Sequence, residues 1–558
     1  MIGIISEDTD GFAVREFFQL FKTQWEKYVP GRSYDLVIST AGEIPPGLNS
    51  GVIAIYSSTK SLIDSEIGTH VRGSKQGVWP EFQGVKFPLY GKVSVFESAE
   101  RPLLHSNGQN DILAFEVTRA SNLIVRVGYD LFAEVAFLLS KGQPAENAHI
   151  PTLEFHIAFL RSIMVGAEIP FVEILPSPSG YEFVVCLTHD VDFTGIREHK
   201  FDSTMWGFLY RALVSSFVNA LKGREPWSKC WNNWIAALSL PLVHLGWKED
   251  FWLEFDRFKE IEKGLGSTFF FIPFKNRPGM RGTGPAPDRR AAKYDLSKVK
   301  EQVLDLVENG CEIGLHGIDA WEDPEKALVE RSRICEITEQ AEIGIRMHWL
   351  YFDENSPTVL EEAGFSYDST FGYNDAVGFR GGTAQVHCLG ASKSLLELPL
   401  SLQDTALFYP DRMNLSESKA MDACRNLMRQ TAQFGGVLTI NWHTRSLSPE
   451  RLWGDFYGRL LEEIKKYPVW FTTAQKSVEW FRARRALCFE QVTFTADGVR
   501  LKMTGAPDAN HPFVMRIHHA KSGRFAESVT SSSKPAYTDV PWKGETELSL
   551  NQTELSRV

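Results

Sequence analysis

The sequence predicts an α/β protein built around a barrel of parallel strands with helices outside, and three observations lead there. Residues 181–485 repeat a unit in which a short apolar run rich in β-branched and aromatic residues is followed by a polar or helical stretch. That is the pattern of parallel strands joined by crossover helices. Residues 1–175 show the same alternation on a smaller scale, which predicts a small α/β domain ahead of the barrel. From 486 to 558 the apolar period becomes two, the mark of a β module.

In the first domain the strands are placed at 34–38, 51–55 and 122–127; there is no glycine-rich phosphate loop and no metal cluster to give it a job. The boundary falls at Leu175-Pro176-Ser177-Pro178-Ser179-Gly180, where prolines and a glycine break any regular element. Barrel strands follow at 181–187, 267–272, 311–315, 396–399, 436–440 and 469–472, with helices at 296–308, 324–340 and 449–466. The β module opens with a hairpin, 488–494 and 498–503, around a turn at Ala496-Asp497-Gly498, continues at 513–518 and ends in a polar stretch expected to fray.

Composition narrows the function. The chain has 558 residues, 43% hydrophobic, with 59 Lys and Arg against 70 Asp and Glu and a net charge of −11. Sequence-independent nucleic-acid binding needs a basic footprint and is excluded as a first reading. Seven scattered cysteines, none in a C-x-x-C pair, suggest reduced thiols in a cytoplasmic chain. The opening Met1-Ile2-Gly3-Ile4-Ile5-Ser6 has no basic start and no long apolar run, so no secretion signal is expected. The longest apolar stretch, 234–247, is interrupted by Ser239, Pro241 and His244 and falls short of the ~20 residues that span a bilayer.

The residues able to do chemistry sit at the C-terminal ends of the barrel strands, where such barrels place their sites. Asp190 and Asp192 are two apart, so along a strand their carboxylates share a side while His189 points away. Such a pair can divide labour, one carboxylate holding a metal and the other acting as base; the alternative is a solvated acidic loop. His316 and His443 each follow a predicted strand. Singly, each reads more readily as a structural histidine; together with the aspartates at equivalent ends, they read as a site.

The ordered segments Thr188-His189-Asp190-Val191-Asp192, Glu312-Ile313-Gly314-Leu315-His316-Gly317, Arg346-Met347-His348, Tyr367-Asp368-Ser369-Thr370 and Thr439-Ile440-Asn441-Trp442-His443 resemble the motifs of polysaccharide deacetylases with the NodB-homology domain, carbohydrate esterase family 4. The resemblance covers roughly 181–485 and implies a distorted (β/α) barrel and a metal-dependent hydrolase that removes acetyl groups from sugars. Position by position, it makes Asp190 the general base, Asp192 and His316 metal ligands, Arg346 the tether of the base and His443 the general acid, with Asp404 orienting that acid. The chemistry agrees: a metal polarises the acetyl carbonyl, a carboxylate takes a proton from water and an imidazolium protonates the leaving group. One departure stands out. The family's second metal histidine falls on Ala320. His348 is the favoured replacement, with Asp319, water or no third ligand as the alternatives; a His/Asp/His set would suit Zn.

The insertion 197–262 carries six of the fifteen tryptophans: Trp206, Trp227, Trp231, Trp234, Trp247 and Trp252. Leu209, Leu213, Phe217 and Leu221 make one apolar helix face. The expectation is a cap over the barrel with its aromatics packed inward; a sugar-stacking lid and a helix at a membrane surface are the alternatives. The loop 275–293, with Arg277, Arg281, Arg289 and Arg290, reads as solvated, with an anionic sugar or phosphate as the other possibility.

The resulting expectation is a cytoplasmic, metal-dependent deacetylase of an N- or O-acetylated glycan or glycan precursor, such as a cell-envelope polysaccharide. Its cofactor would be a divalent metal, Zn by preference, and its partners a sugar and, at most peripherally, a membrane. Two alternatives remain: a hydrolase of another carbon–nitrogen bond, in a formyl-sugar or cyclic amide, and a non-catalytic glycan-binding protein whose metal site has decayed.

Overall fold

A computed structural model describes the chain except residues 43, 98, 107–110, 120–121, 224, 283, 496–497, 509, 520–536 and 552–558. The predicted turn at 496–498 and the fraying end therefore lie wholly or partly outside the described residues.

The central element is a curled parallel sheet. Its strands are β1 (Phe183–Val191), β2 (Ser267–Phe271), β3 (Glu312–Gly317), β4 (Ile345–Met347), β5 (Tyr367–Asp368), β6 (Leu396–Glu397), β7 (Leu402–Gln403), β8 (Val437–Asn441) and β9 (Val469–Phe471). The spatial order is β6-β5-β4-β3-β2-β1-β8-β7, with β9 beside the first residues of β1 and the short strand His387–Cys388 antiparallel to β6. All nine residues of β1 are buried, as a parallel strand covered on both faces requires. Helices flank the sheet with conventional ends: Asp323 caps Pro324–Thr338, which has proline in its first turn, and Ser416 caps Glu417–Phe434.

The expected barrel is only partly realised. β6 and β7 are consecutive in the chain, yet among the described residues they do not pair, so the sheet curls without closing into a ring. The chain runs from one edge to the other through Leu398–Ser401, whose hydrogen bonds go to β5 and β8 instead. The resemblance predicted a distorted barrel; the observed form is an open one.

β1 is clamped from behind by a buried polar cluster. His189 turns to the face opposite Asp190, as its place in the strand dictates. Its Nδ1 lies 2.8 Å from the Trp442 carbonyl oxygen and its Nε2 3.1 Å from Glu262, a carboxylate that also accepts from Tyr457 and Ser267.

The N-terminal residues form an eleven-stranded mixed sheet. The predicted strands appear as Ser33–Ser39, Asn49–Tyr56 and Asn122–Val127, parallel to one another; beyond them, Asp111–Arg119 and Arg101–Ser106 continue antiparallel. At the other end, Cys488–Thr495 and Gly498–Thr504 form the expected hairpin, joined by Glu547–Asn551. Phe513–His518 departs from that sheet. It pairs with Phe171–Ile174 and Tyr537–Trp542, and Arg484 donates to the carbonyls of Leu20, Ile174 and Leu175, so the two ends of the chain share one packed region. No helix among the described residues is long and apolar enough to cross a membrane.

The insertion overturns its own expectation. It folds as a helical hairpin: a continuous run at 203–221, with a π-helical stretch Tyr210–Ser215 in its middle, then Trp227–His244. Of its six tryptophans only Trp252 is fully buried, Trp234 is half-buried and the other four are exposed. Leu213, Phe217 and Leu221 of the predicted apolar face point outward. Periodicity identified a shared face; it could not say which way the face points.

Candidate active site

Asp190 and Asp192 lie at the end of β1, His316 near the end of β3, Arg346 on β4 with His348 just after it, and His443 two residues past β8. Parallel strands bring these ends to one side of the sheet, so residues up to 253 positions apart in sequence meet there.

Asp192 Oδ1 stands 3.3 Å from His316 Nε2 and 3.2 Å from His348 Nδ1, and the two ring nitrogens are 3.0 Å apart. Asp192, His316 and His348 form the one cluster among the described residues with metal-ligand spacing. A tetrahedral ion with ligands at ~2.0–2.1 Å needs donor atoms about 3.3 Å from one another, which these distances approach. Asp192 Oδ1 is buried and accepts no hydrogen bond among the described residues. His316 Nδ1, 2.9 Å from the Arg346 carbonyl, donates to it, which leaves Nε2 with its lone pair facing the cluster. Burial pushes His348 down to about 4, against the pull of Asp192, so this ring is neutral near pH 7. Burial would raise Asp192, but His348, His316 and His443 hold its carboxyl well below the usual range. Two imidazole nitrogens and one carboxylate oxygen fit a late first-row divalent cation.

The chain bends sharply just after His348. Trp349 and Leu350 both take left-handed backbone angles, φ 60° and 54°, at roughly 1–2 kcal/mol each. Arg290 holds that turn. Its guanidinium donates to the carbonyls of His348, Ile318 and Pro278, at 3.0, 2.9 and 2.7 Å, and stacks on Tyr351. The solvated-loop expectation for 275–293 is thus wrong for Arg290, which is fully buried. Nothing in the sequence marked it apart from the other three arginines.

Asp319 lies outside the cluster; its Oδ1 accepts from the backbone of Met280 at 2.7 Å. Ala320 is buried in the apolar core. Two expectations follow. His348→Ala should weaken Zn binding by at least about tenfold while Asp319→Ala leaves it within about twofold, measured by competitive chelator titration. Ala320→His should lower stability by about 1–3 kcal/mol through overpacking, with no gain in Zn affinity, as urea unfolding and the same titration would report.

Asp190 is held on every side. Its Oδ1 accepts from Arg346 at 3.0 Å and its Oδ2 from the Asn441 amide at 2.7 Å, and Asp190 donates its own backbone N–H to Asn441 at 3.2 Å. Arg346 is itself fixed by Thr188, by the carbonyl and hydroxyl of Ser369 and by the ring of Phe270. Burial alone would raise Asp190; His316, Arg346 and His443 keep it lowered and ionised. The sequence motifs contained Asn441, Thr188 and Ser369, but only the structure gives them a task.

His443 faces the cluster from the other side, its Nε2 4.0 Å from Asp192 Oδ2. Its Nδ1 lies 2.6 Å from Asp404 Oδ1, and its backbone N–H donates to Asp404 Oδ2 at 2.8 Å. Ser446 also donates to Asp404. Burial works against the imidazolium, yet the carboxylates of Asp404, Asp192 and Asp190 raise the His443 pKa. Asp192, His348 and Tyr409 open onto a cleft of about 1160 Å³ that Trp349, Trp453 and Arg445 also line.

No family model matches the chain, and no curated protein matches it in sequence. Among solved structures it is similar to a protein from Mycobacterium smegmatis described as a polysaccharide deacetylase: 21% identity over 56% of this chain and 96% of that one, TM-score 0.34. It is also similar to the PuuE allantoinase, at 16% over 54% and 91%, TM-score 0.31. A third is a polysaccharide deacetylase from Bacillus cereus, at 12% over 40% and 86%, TM-score 0.23. Likenesses this distant carry no function, which has to rest on the site.

Proposed function

We propose that the chain is a divalent-metal hydrolase that removes an acetyl group from an N- or O-acetylated glycan or glycan precursor. The observation that carries this reading is the convergence around Asp192, at the floor of one cleft, of three kinds of group: a candidate ligand cluster, a tethered carboxylate and a carboxylate-oriented histidine. Asp192, His316 and His348 would hold the cation, and when bound it would polarise the acyl carbonyl and acidify water.

The chain's own groups would do the rest. Asp190, ionised and held by Arg346 and Asn441, accepts the proton from the attacking water. His443, kept toward its protonated form by Asp404, gives a proton to the departing amine or alkoxide. Asp404 receives four hydrogen bonds, two of them from His443, so the imidazole is fixed in one tautomer with Nε2 toward Asp192. Trp349, Trp453 and Tyr409 supply flat apolar faces for sugar rings, and a cleft of about 1160 Å³ has room for more than a free acetyl group.

The test is release of acetate from a panel of N- and O-acetylated oligosaccharides by Zn-loaded protein, with formate assayed in parallel on formylated sugars. Acetate release lost in Asp190→Asn supports the reading. Formate alone moves the substrate to a formyl-sugar. Neither product from metal-loaded protein returns the chain to the glycan-binding alternative.

A further inference from the structure

The helical hairpin 203–247 is built inside out. Its outward stripe is Trp206, Tyr210, Leu213, Val214, Phe217, Val218 and Leu221 on the first helical run, with Trp227, Trp231, Ile235, Leu238, Leu242 and Leu245 on the second. Leu238 and Trp247 are each 78% exposed. The inward positions are mostly small or polar toward the tip, where Ala212, Ser216 and Ala220 are buried with Cys230, Asn233, Ala236 and Ala237 and the Ser216 hydroxyl meets Cys230; the large buried residues Met205, Phe208, Leu240 and Val243 pack with Trp252 toward the base. A water-soluble helix pair does the opposite, hiding its large apolar residues and showing its polar ones. Large residues outside and small ones at the helix contact is the arrangement of helices whose surroundings are lipid.

Charge points to the same surroundings. Within the hairpin, 203–247, the sequence carries Arg211, Lys222, Arg224 and Lys229 against the single carboxylate Glu225, in a chain whose net charge is −11; at the base Lys248 stands beside Asp202, Glu249 and Asp250, so the excess of positive charge lies toward the tip. Arg211 and Lys229 meet Glu450 and Glu417; Lys222 at the tip and Lys248 at the base make no ion pair among the described residues. Tryptophan marks the same two ends: Trp227 and Trp231 by the tip, Trp206 and Trp247 by the base. Aromatic and basic side chains bracketing an aliphatic stripe are what the boundary between headgroups and acyl chains selects. Ring contacts between Phe217 and both Trp227 and Trp234, and an indole N–H donated from Trp234 to the Leu213 carbonyl, make the stripe a preformed surface.

We propose that this hairpin seats the protein on an anionic phospholipid bilayer, lying in its interface. At 18 residues, about 27 Å, the second helix is long enough to lie along the surface, and the run's Ser, Asn and Pro suit it poorly for crossing. A second copy of the chain is the other occupant, which the oligomeric state in the experiment below distinguishes. The seat adjoins the candidate active site. Ser203, Thr204, Arg211, Ser215 and Asn219 of the same hairpin line the cleft that Asp192 and His348 open onto.

Flotation of the full chain with vesicles tests this without reference to activity. The protein should float with vesicles of phosphatidylcholine and phosphatidylglycerol and several-fold less with phosphatidylcholine alone. The double variant W231D/L238D should lose at least about tenfold in partitioning, since both side chains leave the apolar layer. The variant L328D/V329D alters exposed apolar residues on the helix Pro324–Thr338 and should float like the parent. Unchanged melting temperatures would show that both variants fold. Three results overturn the proposal: no flotation on anionic vesicles, equal loss in the two variants, or a dimer in solution that W231D/L238D splits while the parent fails to float.

Discussion

Asp192→Ala and His316→Ala are each expected to abolish bound metal and hydrolysis together. Either change leaves two donors where the site has three, and a partly liganded ion stays mostly hydrated and exchanges into solvent. Zn affinity should fall by at least about a hundredfold, more than the ten- to hundredfold typical for loss of an outer-shell partner. Metal analysis of protein dialysed against a weak chelator checks it. Asp192→Ala should remain folded, because Asp192 Oδ1 has no hydrogen bond to lose, while His316→Ala gives up one buried bond to the Arg346 carbonyl, at about 1–3 kcal/mol, so its melting temperature is measured beside its metal content. Full occupancy in either variant would remove that residue from the ligand set.

Asp190→Asn separates binding from turnover. The amide keeps the shape of the carboxylate, and the contact from Asn441 can be re-formed by rotation of either amide, but the group can no longer accept a proton from water. Loss of a positioned base costs about 10²–10⁴-fold, so kcat should fall by that factor with metal content unchanged. One neighbour complicates the variant in a way that can be measured: Arg346 is wholly buried and loses its ion partner. Its charge would then be uncompensated, at a cost of about 3–5 kcal/mol in stability. A melting temperature reported beside kcat separates the two effects. Near-normal kcat in a folded variant would move the base elsewhere.

The part of this molecule that was legible in advance is the part governed by local periodicity. Asp190 and Asp192 could be paired from their spacing because a strand returns to the same side every second residue. Strands were expected at 181–187, 267–272, 311–315 and 436–440 from continuous apolar runs of strand length, and they lie at 183–191, 267–271, 312–317 and 437–441. Three things were out of reach for a different reason, since each depends on partners distant in the chain. Arg290 looked like its neighbours Arg281 and Arg289, and its value lies in carbonyls 12, 28 and 58 positions away. The pairing of Phe171–Ile174 with Phe513–His518 spans most of the sequence. The open seam between Leu396–Glu397 and Leu402–Gln403 is a matter of which edges meet, on which composition is silent. His348 stands between these cases: a resemblance failing at Ala320 directed attention to it, and the pairing of Glu312–Gly317 with Ile345–Met347, with Arg290 holding the turn that follows, sets its ring beside His316.

The cluster behind β1 bears on how the site comes into being. His189 and Asp190 are adjacent, yet one is tied to Glu262, Tyr457 and Trp442 on the rear of the strand and the other to Arg346 and Asn441 on the front. Shifting β1 by one residue would exchange the two faces and leave a carboxylate among aromatic rings and an imidazole against a guanidinium. Alternative registers are therefore heavily disfavoured, and the amide protons of 187–191, all on buried residues, are expected to exchange with solvent among the slowest in the chain, which hydrogen exchange would check. Chemistry and topology are specified by the same short stretch, residues 188–192: a register that displaced Asp190 and Asp192 would also break the cluster behind the strand.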